Sequence, residues 1–487
     1  MASEQTEAAP APATLSPQER RAIRIIPYIV GCALFMQMLD STVVATALPT
    51  MALSLDTSVI RMNTIITSYL LAVAVFVPIS GWAADRFGAR KVFLAAILLF
   101  TASSVACALS QTLTQLIISR VVQGMAGAMM VPVGRIILLR RVPKDQLLSA
   151  MAVLTLPALL GPIIGPPVGG FLVTYASWHW IFLINIPVGA LGIALVLRYI
   201  REDYPTGRPP LDWLGFILSA ICLATLVTSF ENVGHGTLNW STLGWLTLAG
   251  LIAGLWYVWH ARQVAYPIID LSLLRTKTFA ISVLGGNLCR FSLGASPFLL
   301  AIMLQTNFGM SALAAGLITF TGAIGALGMK LVAPPIIRRF GFRNVLIINA
   351  WLTGLFIALC ALFQATTPMW LMIAVLTAGG FFRSLQFTAV NTLTYADLES
   401  EAMSQASSFA AMAQQLAISL GVACAAVTLN ISMALRGASS VQTQDTIWAF
   451  LILGAITALS SLSFARLSPT DGDSLQQAPR TTRKTKA

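Results

Sequence analysis

The 487 residues are 57% hydrophobic and 10% charged, far from the half-apolar, quarter-charged balance of a soluble domain, so the chain reads as an all-α polytopic membrane protein. A net charge of +12 would indicate nucleic acid only if the basic residues gathered on one exposed face. They sit instead in small groups between apolar runs, which is a topology signal and argues against a nucleic-acid partner.

Residues 1–24, starting rich in Ala, Pro and Glu, read as a disordered cytoplasmic tail without a signal peptide. Apolar runs of roughly 20 residues then predict spans over 25–49, 62–82, 92–110, 114–138, 148–174 and 178–197, an N-terminal six-helix bundle within 25–200. A linker over 201–275, containing Arg201-Glu202-Asp203 and Pro209-Pro210, carries two additional spans at 212–232 and 242–261. Six more follow at 279–304, 312–337, 344–364, 369–394, 403–433 and 446–465, a C-terminal bundle within 276–467, and 468–487 reads as a basic cytoplasmic tail. The expectation is fourteen spans with both termini on one side.

The halves share a mark. Gly81-Trp82-Ala83-Ala84-Asp85-Arg86-Phe87-Gly88-Ala89-Arg90-Lys91-Val92 returns in edited form 253 residues later as Arg338-Arg339-Phe340-Gly341-Phe342-Arg343-Asn344-Val345. A short basic turn at the same place in two apolar halves points to a duplicated bundle. Of the 30 basic residues, only Arg61 and Arg436 fall in loops opposite the basic side, and Arg120, Arg135, Arg290, Lys330 and Arg383 fall inside spans. The remainder place both termini in the cytoplasm. The loops on the other side are short, so function is expected between the helices.

A charge within the bilayer costs roughly 2.5 to 3.5 kcal/mol on insertion scales unless it is paired or faces water. Asp40 lies roughly 22 Å along span 1 at 1.5 Å per residue, and Arg120 enters span 4 from the outside, so the two can share a depth. Such a pair is either a static link between helices or a carboxylate whose protonation a competing charge resets. In the second half Arg290 and Arg383 fall mid-span and Lys330 in the inner half. The repeat offset sets Arg290 on Gln37, one turn from Asp40. Gln37, Arg290, Lys330 and Arg383 are therefore candidates for a net positive substrate cavity, favouring anions, zwitterions or metal chelates, with Glu231 placed at an outer end. Arg135, near the inner end, is expected to snorkel and carries no role.

Span 5 holds Gly161, Gly165 and Gly169 at every fourth position, with Pro162, Pro166 and Gly170 among them. Such a face lets a neighbour approach closely, and the prolines bend the helix. It suits either tight packing or a seam along which bundles rock. The six cysteines, in apolar segments without CxxC spacing, predict neither disulfides nor a metal site. With only His179, His235 and His260 and no metal-ligand spacing, an embedded enzyme is disfavoured.

These motifs resemble the major facilitator superfamily, and within it the fourteen-span drug:proton antiporters of the EmrB/QacA type, over about residues 20 to 470. Gly81, Asp85, Arg86, Gly88 and Arg90 match the loop 2-3 signature, which implies an inner gate. Leu39-Asp40-Ser41-Thr42 resembles the span 1 motif and Arg120-Val121-Val122-Gln123-Gly124 the span 4 motif, which implies that Asp40 and Arg120 couple protons. Gly161, Pro162, Gly165, Pro166, Gly169 and Gly170 resemble the antiporter motif of exporters, and Ser177 to Gly189 adds to the match. The resemblance implies a major facilitator fold of two six-helix bundles with two extra helices between them. It further implies a monomeric inner-membrane antiporter that takes small-molecule substrates and protons within the lipid bilayer. The energy source is the proton gradient, without cofactor or metal. An exporter of an anionic metabolite or metal chelate is the alternative, then proton symport for uptake.

Overall fold

The computed structural model describes residues 17–62, 64–202, 210–233, 238–438 and 441–475. The helices run in chain order as α1 Pro17–Ser54, α2 Val59–Met62, α3 Thr64–Phe76, α4 Ile79–Phe87, α5 Ala89–Ala108, α6 Leu113–Arg141, α7 Lys144–Tyr175, α8 Trp180–Leu183 and α9 Asn185–Tyr199. Then come α10 Trp213–Val233, α11 Trp240–Ala261, α12 Lys277–Ala301, α13 Ala312–Phe340, α14 Phe342–Leu359, α15 Met369–Leu393, α16 Met403–Arg436 and α17 Thr443–Phe464. Among the described residues twelve helices are long and apolar enough to cross a membrane, and α3 with α4, bent by 59°, makes a thirteenth. The 32-residue α7 stands where the fifth span was expected; the side chains of Pro162 and Pro166 on it lie outside the described residues.

Local chemistry sets the helix ends. Thr112 and Ser311 cap α6 and α13 by accepting from the backbone N–H of Gln115 and Ala314. Pro78, which cannot donate a backbone hydrogen bond, sits at the bend between α3 and α4. Gly88 (φ 89°) and Gly341 (φ 77°) turn the chain between helices at matching stations of the repeat, in a backbone region that side chains disfavour.

The duplication is visible in the packing. In the first half α1 packs on α7, α3 and α5 on α6, and α5 on α9; in the second, α12 packs on α16, α13 and α14 on α15, and α14 on α17. The inserted pair α10–α11 is pinned at one end by His260 Nε2 to Asp212 Oδ1 at 2.7 Å and further along by Ser229 and Thr247 at 2.8 Å. Through α10 it rests on both α3 and α16.

Three expectations shift. Helix α1 begins at Pro17, since proline at a helix start sacrifices no bonded N–H; residues 1–16 of the expected tail lie outside the described residues. The segment after α17 is not all tail, because Leu475 is fully buried and Gly472 sits on Phe342 and Leu393. The spacing of span 5 left a rocking seam open, whereas its glycines face α1 of their own half. A Cβ at Gly161, Gly165 or Gly169 would lie 2.7 Å from Met38 Cβ, 2.1 Å from Thr42 Oγ1 or 2.2 Å from Thr46 Oγ1. A Cβ at Gly170 would meet nothing within 4 Å.

Candidate functional site

Asp40 of α1 and Arg120 of α6 are 1% and 0% exposed. Arg120 Nη1 donates to Asp40 Oδ2 at 2.5 Å and to Gln123 Oε1 at 2.6 Å, while Nε reaches Ile65 O at 3.3 Å. Its guanidinium also lies over Tyr69 of α3, 4.3 Å from the ring centroid. The other carboxylate oxygen, Oδ1, accepts from Gln123 Nε2 at 3.0 Å and Asn185 Nδ2 at 3.2 Å. Both amides also donate to Ser104 Oγ of α5, at 2.7 and 3.2 Å. Helices α1, α3, α5, α6 and α9 thus converge on one ion pair. A buried pair survives desolvation only when its spare donors and acceptors are satisfied, and here three donors hold Asp40. Arg120 keeps Gln123, Ile65 O and the rings of Tyr69 and Phe182 besides Asp40, so neutralising the carboxylate would leave its hydrogen bonds partly satisfied but its charge unbalanced.

The pairing of Asp40 with Arg120 was expected from depth; the cradle of Gln123, Ser104 and Asn185 was not assigned. Its signal was present as an amide three residues after Arg120 and a lone Asn within Ile181 to Pro187.

The four cavity candidates do not meet at one place. Arg290 and Arg383 line a single small cavity with Cys289, Thr353, Gln386 and Phe387. Arg290 donates to Asn287 Oδ1 at 2.9 Å and Asn391 Oδ1 at 2.7 Å, and it lies over Phe387. Lys330 stands apart on α13, donating to Thr388 Oγ1 at 2.7 Å. Gln37 belongs to the first half, beside Tyr69 and Gly127. Among the described residues the ion pairs leave Arg290, Lys330 and Arg383 without a carboxylate. Arg135, expected to snorkel, is instead 8% exposed and donates to Tyr395 Oη in the turn that follows α15 at 3.2 Å. The partner from the other half holds it inside, which an inner-end position in the sequence did not disclose.

The two halves meet at the end that carries the basic turns. Asp85 of α4 accepts from Arg140 Nη2 at 2.7 Å and from Ser404 Oγ of α16 at 2.6 Å, and Arg140 also reaches Ser404 Oγ at 2.7 Å. Gly81 provides the seat, since a Cβ there would lie 2.6 Å from Ser404 O and 2.7 Å from Ser408 Oγ. Ser80 bonds Ser408 at 2.8 Å, Ser407 reaches Pro132 O at 3.1 Å and Lys144 reaches Ala396 O at 3.4 Å. Arg338, at the position of Asp85 in the second copy, reaches Asp145 O at 3.4 Å across the same junction. Arg90 binds Leu197 O at 3.1 Å and Glu202 within its own half, while Arg86 is half-buried on α4.

Of the histidines, His179 stacks on Trp178 with centroids 3.8 Å apart and bonds Ser177. Burial holds its imidazole below the ordinary range. His235 lies outside the described residues.

The profile described as Major Facilitator Superfamily matches residues 30–285 and 283–486. The chain belongs to the major facilitator superfamily. It is 42% identical over 455 residues to a protein of Pectobacterium atrosepticum named "Putative multidrug resistance protein MdtD", covering 93% of this chain and 96% of the relative. The protein of that name from Yersinia enterocolitica is 40% identical over 469 residues, covering 95% and 98%. Among solved structures, the human organic anion transporter MFSD10 superposes with a TM-score of 0.64 at 17% identity, covering 92% of this chain and 100% of that one. The proton:xylose symporter XylE superposes with a TM-score of 0.63 at 14% identity, covering 94% and 98%. At those identities the superpositions speak for the fold, and the chain is a multi-pass membrane transporter of that fold.

Proposed function

We propose that the chain is a monomeric proton-coupled exporter of the inner membrane, with both termini cytoplasmic, that moves a small solute outward in exchange for protons. The observation that carries this reading is the sealed Asp40–Arg120 pair. Protonation of Asp40 from outside removes the negative member, and Arg120 retains Gln123, Ile65 and Tyr69. The proton thereby leaves the buried Arg120 charge held by neutral acceptors alone, a change of charge in the core of the first half to which the packing of the halves can respond. With the basic end in the cytoplasm, the junction at Asp85 and Ser404 closes the inner side in the conformation described. The names of the relatives and the glycine motif on α7 support export. In everted vesicles under an imposed pH gradient, Asp40→Asn is expected to abolish gradient-driven transport of dyes, carboxylates and metal–carboxylate complexes while inserting normally. Unchanged transport sinks the assignment, and movement with the proton rather than against it would make the protein a symporter.

The cavity of Arg290 and Arg383 favours a second reading, in which the solute is an anionic metabolite or a metal chelate. Two guanidiniums lining one cavity, neither paired with a carboxylate among the described residues, attract negative charge.

A further inference from the structure

The cradle around Asp40 contains two amides that differ in one respect. Gln123 is committed at both ends: its Nε2 donates to Asp40 and Ser104, and its Oε1 accepts from Arg120 at 2.6 Å and from Cys107 Sγ at 3.8 Å. Asn185 is fully buried and committed at one end only. Its Nδ2 donates to Asp40 Oδ1 and Ser104 Oγ, whereas its Oδ1 is buried with no hydrogen-bond partner. An unpaired buried carbonyl is costly and calls for a reason. A carboxylate only accepts hydrogen bonds, but a carboxylic acid must also donate one. Arg120 offers no acceptor. Ser104 Oγ already accepts from both amides and donates to Phe100 O at 2.8 Å.

We infer that Asn185 serves both protonation states of Asp40: it donates through Nδ2 to the carboxylate, and it turns about its Cβ–Cγ bond to accept through Oδ1 from the protonated acid. The step is a proton transfer alone. One O–H bond forms at Asp40 Oδ1 as one O–H bond of a hydronium ion from the outer solvent breaks, leaving water, and no electrons change hands. The titratable groups around Asp40 on the packed helices are Arg120 of α6, Tyr69 of α3 and Cys107 of α5; α7 and α9 present glycines and Asn185. Asn185 is thus a positioning residue for the proton, and this rests on Asp40 being the proton site.

Infrared difference spectra between acid and alkaline pH on the full chain in lipid test it without any substrate. The carboxylic carbonyl band lost in Asp40→Asn belongs to Asp40. That band is expected at higher frequency in Asn185→Leu, where the acid has lost its acceptor, and near its original place in Asn185→Ser, whose hydroxyl can donate and accept. An unmoved band in Asn185→Leu overturns the inference while leaving Asp40 as the proton site; no band lost in Asp40→Asn overturns the underlying reading as well. Should Asn185→Leu not fold, the unaltered chain labelled with carbonyl-13C asparagine provides the same decision. Its difference spectrum should contain an isotope-shifted amide band that vanishes with Asp40→Asn, and absence of that band refutes the turn of Asn185.

Discussion

Gly81→Ala is a small change aimed at a large effect. The added Cβ would stand 2.6 Å from the backbone oxygen of Ser404 and 2.7 Å from Ser408 Oγ, both on the opposite half. The backbone of α16 cannot swing aside as a side chain would, so α4 and α16 must separate. Overpacking of this kind costs about 1–3 kcal/mol, and weakening the Asp85–Ser404 and Ser80–Ser408 bonds adds about 0.5–1.5 kcal/mol for each. These contacts exist only while the halves are together, so the loss falls on the closed state. Taking ~2–6 kcal/mol, with 1.4 kcal/mol to each factor of ten, the balance should move towards opening of the basic end by roughly one to four orders of magnitude. The assay is the labelling rate of a cysteine at Ser407, which is buried and bonded to Pro132 O across the junction, in a chain whose six native cysteines are replaced. With a membrane-impermeant maleimide supplied from the basic side, labelling should accelerate at least about tenfold. Gly170→Ala, with open space around it, should leave the rate unchanged. If Gly81→Ala labels at the parent rate, the seat of Gly81 on α16 does not govern closure.

Other substitutions test other joints. Gly165→Ala should lower stability by about 1–3 kcal/mol through its clash with Thr42, and Thr42→Ala in the same chain should recover most of the loss in thermal melts; additive losses would refute the contact. Arg135→Gln and Tyr395→Phe should each weaken the junction by about 0.5–1.5 kcal/mol, and a double-mutant cycle on the Ser407 labelling rate should show that they act as one. Arg290→Ala and Arg383→Ala should slow efflux of an anion or chelate more than that of a neutral dye, and parent-like rates in both would refute the anionic-solute reading.

What could be read from the sequence was mostly depth. A position along a span follows from counting at a fixed rise per residue, so Asp40 and Arg120 were matched correctly across 80 residues of chain. The direction a side chain takes around its helix depends on which neighbour packs where, and counting does not supply that. For this reason Lys330 was grouped with Arg290 and Arg383 although it points to Thr388, and Arg135 was sent to the surface although Tyr395 holds it inside. The glycines of α7 announced a close approach in the sequence; that the neighbour is α1 required the packing. Asn185 stands alone among apolar residues in the sequence, and nothing in that pattern names its partner. The basic turns, by contrast, were legible as a repeated pair, because duplication and a positive-φ glycine leave their mark in the letters themselves; that Asp85 meets Arg140 and Ser404 required the packing.

The chemistry of the junction bears on how such a protein opens. The charged members of the latch, Asp85 and Arg140, belong to the same half and are paired there. The bonds described from one half to the other end on hydroxyls and carbonyls: Ser404, Ser407, Ser408, Tyr395, Ala396 and Asp145 O. Among the described residues, parting the halves therefore breaks single hydrogen bonds, several of them charge-assisted, but separates no described ion pair, and water can replace each lost partner as it enters. Closure without an ion pair between the halves should depend little on ionic strength, and under the proposed function it leaves the electrostatic work of the cycle to Asp40, buried on α1.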